Sequence, residues 1–342
     1  MNTQTMRAAW YECNGDAQDV FKIGSIKIPE VATGQVRVRL HASGINPVDI
    51  KRRKGYRHDG PLQYPWVIPH DDGAGVIDAV GEGVPSSRVG ERVWIYGAYV
   101  NGTNVSRPFG TAAEYAVLPS IQAVRLPDNV SFAEGACIGV PAMTAHRCVF
   151  ADGPVTDRVV FVAGGSGGVG QYAIQFAKWS GATVITTVSS PEKAEIVRSI
   201  GADYVIDYKK EDVATRVSEI TEGEGVDRIV EVAFGSNIAM NVAVDKNMLK
   251  PNGVIATFGS DDNFEPKIPF IPLIVKAATI HFVHVFILPE PVLQKTIADI
   301  TTCLEIGVLR HPIDHHFSLE EVAEAHEAVE NGSTVGKNIV NI

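Results

Sequence analysis

The stretch from Val159 to Val188, VVFVAGGSGGVGQYAIQFAKWSGATVITTV, constrains the fold more than any other part of this chain. A short apolar, β-branched run meets GxGxxG at Gly165, Gly167 and Gly170, an amphipathic stretch follows, and a second β-branched run closes it. That order predicts a βαβ unit with a purpose for each glycine: one permits the tight turn, one lets a pyrophosphate approach the backbone, one lets the helix pack on the strand. The helix N-terminus supplies partial positive charge for the phosphates. In a chain with 32 glycines the motif alone would say little; the strand before it and the helix after it make it a dinucleotide site.

The same alternation runs from Arg158 to about Phe286. Strands are expected at VVFVA, TVITTV, YVIDY, VDRIVEVA, GVIATFG and TIHFVHVFI, with helices near 168–180, 192–199 and 237–248 between them. Strands and helices in strict alternation predict an α/β, doubly wound parallel sheet of the Rossmann kind. Residues 1 to about 126 have another texture, short β-like runs broken by Gly and Pro such as VRVRLHASGI and ERVWIYGAYV, which predicts a compact β-rich domain. Near the end, SLEEVAEAHEAVENG reads as a helix opened by Ser318 with Glu321 three residues on, followed by a strand KNIVNI expected to rejoin the first domain. A chain of 342 residues accommodates two such domains, since single cores rarely grow beyond roughly 250 residues.

The acceptor for the adenosine ribose is legible after the second strand. An NAD site carries Asp or Glu there to bind the 2′-hydroxyl. This chain has TTVSSPEK, with Ser189 and Ser190 where the acid would be and Lys193 beyond. Hydroxyls and an ammonium suit a 2′-phosphate, so NADPH is expected over NADH.

Composition narrows the remaining classes. A net charge of -10 argues against nucleic-acid binding by counterion release. The basic run Lys51, Arg52, Arg53, Lys54, Arg57 and His58 is the local exception, read as a solvated loop or as a guide for an anionic ligand. Cys13, Cys137, Cys148 and Cys303 form no CxxC pair, which points to a reducing compartment. With neither a signal-peptide pattern nor an 18-residue apolar stretch, a cytoplasmic protein without a membrane partner is expected.

Several segments together, SGINPVDIKRRKG, GAGVIDAVGEGV, VGERVW, GTAAEYAVLP, GGSGGVG, GADYVIDY and VAEAHEAVENGSTVGKNIV, resemble the zeta-crystallin-like quinone oxidoreductase branch of the medium-chain dehydrogenase/reductases over nearly the whole chain. The resemblance implies a GroES-like catalytic domain from residues 1–126 plus 309–342, with a Rossmann domain of residues 127–308 inserted. It also implies that Gly165, Ser166, Gly167, Gly168 and Val169 hold the pyrophosphate, that Ser189, Lys193 and Tyr208 surround the 2′-phosphate, and that Asn46 and Thr144 lie near the nicotinamide. Ala233, Phe234, Gly259, Ser260, Phe286 and Ile287 would line the rest of that site, each with an alternative as loop or core packing.

The segment IPHDDGAG looks at first like a metal site. In the zinc branch of the superfamily a Cys and the His of a GHE motif hold the metal; aligned on the shared glycines, Asn46 stands at the Cys and Asp71 at the His, with Asp72 at the Glu. His70 falls one residue out of register and is expected to be a surface or cap histidine. Asn46, Asp71 and Asp49 offer only oxygens, which suit hard cations, so no catalytic zinc is expected.

The expected chemistry is therefore NADPH-dependent hydride transfer to a quinone or other conjugated carbonyl. Asn46, Asp49, Lys51 and Asp71 are pocket candidates without an assigned acid or base. An enoyl or enone reductase of the same superfamily and a low-turnover NADPH-binding structural protein are the alternatives. A homodimer formed through a Rossmann edge strand near 279–288 is the expected assembly.

Overall fold

A computed structural model describes residues 4–55, 62–101, 105–243, 245–261, 263–332 and 334–342. The chain forms two compact units: residues 1–141, 286–307 and 311–342 in the first, residues 142–285 and 308–310 in the second. Residues 127–141 and 286–307, assigned above to the dinucleotide domain, thus group with the β-rich unit.

The first unit is built on a seven-stranded sheet in which Gln35–Gly44 pairs antiparallel with Asp72–Val80, with Tyr115–Pro119 and with the final strand Lys337–Asn341. The alternation in QVRVRL explains its face: Val36, Val38 and Leu40 are buried, while Arg37 reaches outward to Asp78 at 2.9 Å. Ile77, Val93, Ile95, Ala116 and Leu118 complete that layer, each large side chain contributing roughly 1.5–3 kcal/mol of burial. Gly75 permits the pairing at closest approach, because a Cβ there would meet the Arg39 carbonyl at 2.1 Å. The last strand lies beside Ala42–Gly44, so the C-terminal residues are part of this sheet. Ser318 and Glu321 form the expected capping box, but around a short 3₁₀ turn, Leu319–Glu321, that precedes the helix Val322–Glu330.

The second unit holds six parallel strands in spatial order Tyr204–Asp207, Thr183–Val188, Val159–Val162, Val226–Glu231, Leu249–Thr257 and Thr279–Phe282. The chain starts in the middle, winds to one edge, returns and winds to the other, which is the doubly wound dinucleotide-binding order. Phe161, Ile185, Ile206, Ile229 and Ile255 bring its sheet into one core with Val217 and Ile238 from the helices. The helix expected near 237–248 comes earlier and is shorter, Phe234–Asn241. The edge strand ends at Phe282, and Val285–Ile287 continues as a 3₁₀ turn.

A helix the strand pattern did not foreshadow, Phe132–Val149, carries the chain from one unit to the next across a kink at Gly139, with Pro141 just beyond. Proline removes a donor and the helix breaks at its preceding turn. Its far end is capped by buried Arg228, which donates to the Cys148 and Val149 carbonyls at 3.0 and 2.5 Å and pairs with Asp152.

Candidate functional site

Two groups of residues carry chemistry, one in each unit. In the second, the glycine loop leaves the strand Val159–Val162 and opens the helix Gly168–Trp179, with Gly167 at its N-cap. Gly164 turns the chain at φ +65, a left-handed conformation that costs glycine little. Gly164 N donates to Thr187 Oγ1 and Gly165 N to the Thr187 carbonyl, both at 3.0 Å, which ties the turn to the neighbouring strand. A Cβ at Gly170 would meet the Gly164 carbonyl at 2.4 Å, whereas at Gly167 the nearest atom is 3.4 Å away. The third glycine therefore serves packing, and the second is free to serve a ligand.

Ser189 and Lys193 follow the second strand together: Lys193 Nζ donates to Ser189 Oγ at 3.2 Å, and Ser190 caps the helix Pro191–Ser199. Exposed Tyr208 sits just past the end of the adjacent strand, its N–H on the Val188 carbonyl at 3.2 Å. Beyond the fourth strand, buried Glu231 organises the next loop, accepting from Ala233 N at 2.7 Å, Asn237 Nδ2 at 3.1 Å and Asn241 Nδ2 at 2.8 Å. Phe234 N reaches the Gly259 carbonyl at 3.2 Å and Gly235 N reaches Ser260 Oγ at 3.0 Å, so the Ala233–Phe234 and Gly259–Ser260 segments are joined. Thr144 is buried in its helix. Phe286 and Ile287 belong to the other unit, where the Arg52 guanidinium lies 5.3 Å from the Phe286 ring centroid and Ile287 is exposed.

The first unit contains a dense buried charge cluster. Asn46 precedes the helix Pro47–Arg53, and Asp49 one turn in accepts from Asn46 N at 2.7 Å. Asp71 and Asp72 enter from the start of the strand Asp72–Val80, and all three carboxylates are fully buried. Arg52 pairs with Asp71, and Lys337 from the final strand pairs with Asp72 while donating to Asn46 Oδ1 at 2.8 Å. Asn46 Nδ2 donates to Asp72 at 2.8 Å, and the other Asp72 oxygen accepts from Val140 N at 2.8 Å, satisfying the donor that the kink releases. A Cβ at Gly139 would overlap that oxygen at 2.0 Å.

Burial pushes the Asp49 carboxyl up to about 8, with Asp71 adding and Arg52 opposing. Asp71 is raised by the same burial against the pull of Arg52. Burial also opposes the charge on Arg52, yet Asp71, Tyr99 and Asp49 hold its pKa above the ordinary value. Tyr99 donates to Asp49 at 3.1 Å and is itself pushed well up by burial.

His70 is not a surface or cap residue. It is fully buried with φ 78, its Nδ1 2.8 Å from Ser43 Oγ and its Nε2 2.8 Å from His326 Nε2. Proton directions follow from one end: Thr111 donates to the Asp72 carbonyl at 2.5 Å, so its oxygen accepts from Ser43, which accepts from His70 Nδ1–H. His70 Nε2 then accepts from His326. Burial, reinforced by Lys337, brings His70 down to about 3, and His326 lies well below its ordinary value.

The basic run is also different from a solvated loop. Its first three residues are helical: Lys51 is exposed, Arg52 turns inward to Asp71, and buried Arg53 pairs with Glu330 at 2.8 Å and donates to the Gly15 carbonyl. Lys54 pairs with Glu330 as well. Arg57 and His58, with Tyr56, lie outside the described residues. The pocket candidates Asn46, Asp49 and Asp71 are thus brought together and Lys51 is not; Arg52, Asp72, Tyr99 and Lys337 complete the cluster.

The comparisons with known proteins bear on both groups. Residues 32–128 match the alcohol dehydrogenase GroES-like domain, and residues 168–299 match the zinc-binding dehydrogenase family. Human quinone oxidoreductase is 32% identical over 327 residues, covering 94% of each chain. The chain belongs to the quinone oxidoreductase family of the medium-chain dehydrogenase/reductases. Among solved structures of this superfamily, an NAD-dependent alcohol dehydrogenase superposes with TM-score 0.85 at 28% identity, covering 98% of this chain and 100% of that one. A mycobacterial protein solved with NADPH gives TM-score 0.82 at 25% identity and the same coverage. The quinone oxidoreductase family membership makes this an oxidoreductase.

Proposed function

We propose that the protein reduces quinones or other conjugated carbonyl compounds with NADPH and without zinc. The observation that carries the reading is that Asp71 and Asp72 each already hold a side-chain cation, Arg52 and Lys337. The donor set does not fit zinc: oxygens replace thiolate and accessible imidazole, and His70 spends both ring nitrogens on Ser43 and His326. An acceptor that needs no Lewis acid is one whose negative charge spreads by conjugation.

NADPH when bound supplies the hydride. The glycine loop and the N-terminus of the helix Gly168–Trp179 would hold the pyrophosphate, and Ser189 with Lys193 and Tyr208 the 2′-phosphate. Thr144, Ala233, Phe234, Gly259 and Ser260 would line the same site. Asn46, Asp49 and Asp71 belong to the acceptor side. Human quinone oxidoreductase and the NADPH-bound neighbour support this reading.

Association as a homodimer belongs to the same proposal. The strand Thr279–Phe282 forms a sheet edge, Phe282 is 74% exposed, and the helix Phe270–Lys276 nearby in the chain leaves Phe270 67% exposed with Ile271, Ile274 and Val275. A second copy added at that edge would cover apolar surface that a monomer rarely leaves bare. Among the described residues no helix is long and apolar enough to cross a membrane.

The test is to mix the purified protein with NADPH or NADH and a panel of quinones, enones and alcohols, following nicotinamide absorbance. NADPH oxidation by quinones or enones is expected. Activity on alcohols alone, or activity lost to a chelator and restored by zinc, would sink the reading. Sedimentation of the wild type against Phe282→Asp checks the dimer; an unchanged mass would refute it.

A further inference from the structure

We propose that Arg52 is the group that binds the acceptor oxygen and holds the negative charge that develops on it. The inference rests on the proposed function above and names a residue for it.

Arg52 is held on three sides. Its guanidinium pairs with Asp71, and its carbon lies 4.6 Å from the Tyr99 ring centroid and 5.3 Å from that of Phe286. The anchoring carboxylate is fully buried, and Tyr99 is tied through its hydroxyl to Asp49. Within this cluster Arg52 is the charged side chain that keeps exposure, 22% against 0% for Asp71 and 4% for Lys337. A guanidinium carries five donors, and the ion pair with Asp71 is made through Nη1, which leaves other N–H groups for a ligand. It stays protonated throughout catalysis, so it can stabilise an anion without giving up its own proton.

The reaction balances around that role. A quinone or enone gains hydride and two electrons while the dihydronicotinamide is oxidised, and the pair displaced from the conjugated system comes to rest on the carbonyl oxygen. Arg52 donates hydrogen bonds to that oxyanion, and water then supplies the proton, to oxygen in a hydroquinone or to the α-carbon in a saturated ketone. Planar acceptors are favoured because the half-buried Phe286 ring beside Arg52 offers flat apolar surface.

A buried ion pair replaced by apolar side chains of similar volume commonly keeps the fold. That makes the double variant Arg52→Met with Asp71→Leu decisive: a merely structural pair would be dispensable, and a ligand-binding arginine would not. The probe is the 2-hydroxy-1,4-naphthoquinone anion, a planar oxyanion whose binding is read from its own absorbance, with no turnover required. Binding weakened at least about tenfold in the double variant is expected, together with a fall in kcat/KM of about 10²-fold carried mainly by kcat. NADPH affinity and melting temperature should stay near wild type.

Arg52→Lys, which keeps the charge and loses the planar fork, serves as the second variant and should weaken the probe by several-fold. Equal probe binding by wild type and both variants overturns the proposal, as does a wild type that binds no probe. If the wild type binds the probe through Arg52 but oxidises NADPH with no acceptor, the proposed function fails and the oxyanion site stands.

Discussion

The glycine loop and the charge cluster solve opposite problems. At the loop the backbone N–H groups are the proposed ligand donors, and the sequence contributes by leaving side chains out: Gly170 is needed because a Cβ would strike the Gly164 carbonyl. In the cluster the interacting atoms are side chains brought from Asn46, Asp72 and Lys337, and each is held by hydrogen bonds or an ion pair with the others. Replacing a glycine in the first group obstructs a surface; removing a charged residue from the second leaves its partner buried and uncompensated. The two therefore fail differently.

The largest effect is expected at Lys337. Lys337→Met leaves Asp72 buried without its cation and takes a donor from Asn46 Oδ1. Breaking one partner of such a pair costs about 3–5 kcal/mol, so denaturant unfolding should shift to markedly lower midpoints. A variant as stable as wild type would show that water reaches this pair and that the cluster resembles a surface.

Next come the glycines, which can be set against each other. Gly170→Val places branched carbon where the nearest atoms are backbone, the Gly164 carbonyl oxygen at 2.4 Å and Gly165 Cα at 2.8 Å, and no rotamer relieves it. Loss of about 2–3 kcal/mol of stability is expected. Gly167→Ala meets nothing nearer than 3.4 Å, so its melting temperature should hold while NADPH affinity, followed by nicotinamide fluorescence, falls by about tenfold or more. If both variants lose stability alike, the division between a packing glycine and a ligand glycine is wrong.

The spacing that makes the loop visible in sequence is local. Strand, turn and helix lie within thirty consecutive residues, Val159–Val188, and the periodic runs on either side give all six parallel strands. The cluster is only half legible. Asp49 and Asp71 come from recognisable positions, but the sequence drew attention to Lys51 where the helix presents Arg52. Helical geometry held the missing signal: Arg52 is three residues after Asp49 and shares its face, while Lys51 does not. Lys337 left no such trace, because only the pairing of the last strand with Gln35–Gly44 brings it to Asp72. His70 misled for a related reason: its partners Ser43, Thr111 and His326 are scattered along the chain, and a buried neutral imidazole looks in sequence like an exposed one.

Acid and alkali should act on the cluster with opposite sign. Asp49, raised from 3.8 to about 8, binds its proton more tightly folded than unfolded, so its contribution is present at low pH and is lost as pH rises through about 8. His70, lowered from 6.5 to about 3, behaves the other way, and its contribution is lost as pH falls from about 6.5 toward 3. Melting temperature should therefore peak on the weakly acid side of neutrality. Asp49→Asn keeps the shape and the acceptor for Asn46 N, so it should flatten the alkaline limb by several degrees. An alkaline limb unchanged in that variant would move the proton to Asp71.

The smallest effect tests cofactor choice at the rim of the loop. Lys193 Nζ lies on Ser189 Oγ at 3.2 Å, a hydroxyl and an ammonium already assembled where the ribose would sit. If they hold a 2′-phosphate, Lys193→Ala removes one charge-assisted contact, worth about 1.5 kcal/mol and so roughly tenfold in NADPH affinity. NADH, which lacks the phosphate, should bind as before. Ser189→Asp goes further, because a carboxylate there repels the phosphate and offers the ribose hydroxyl an acceptor. The ratio of NADPH to NADH affinity should then fall below one while the affinity for NADH rises. Equal losses for both cofactors in Lys193→Ala would mean that the ammonium steadies the helix Pro191–Ser199 rather than reading the ribose, and the cofactor preference would have to be sought at Tyr208.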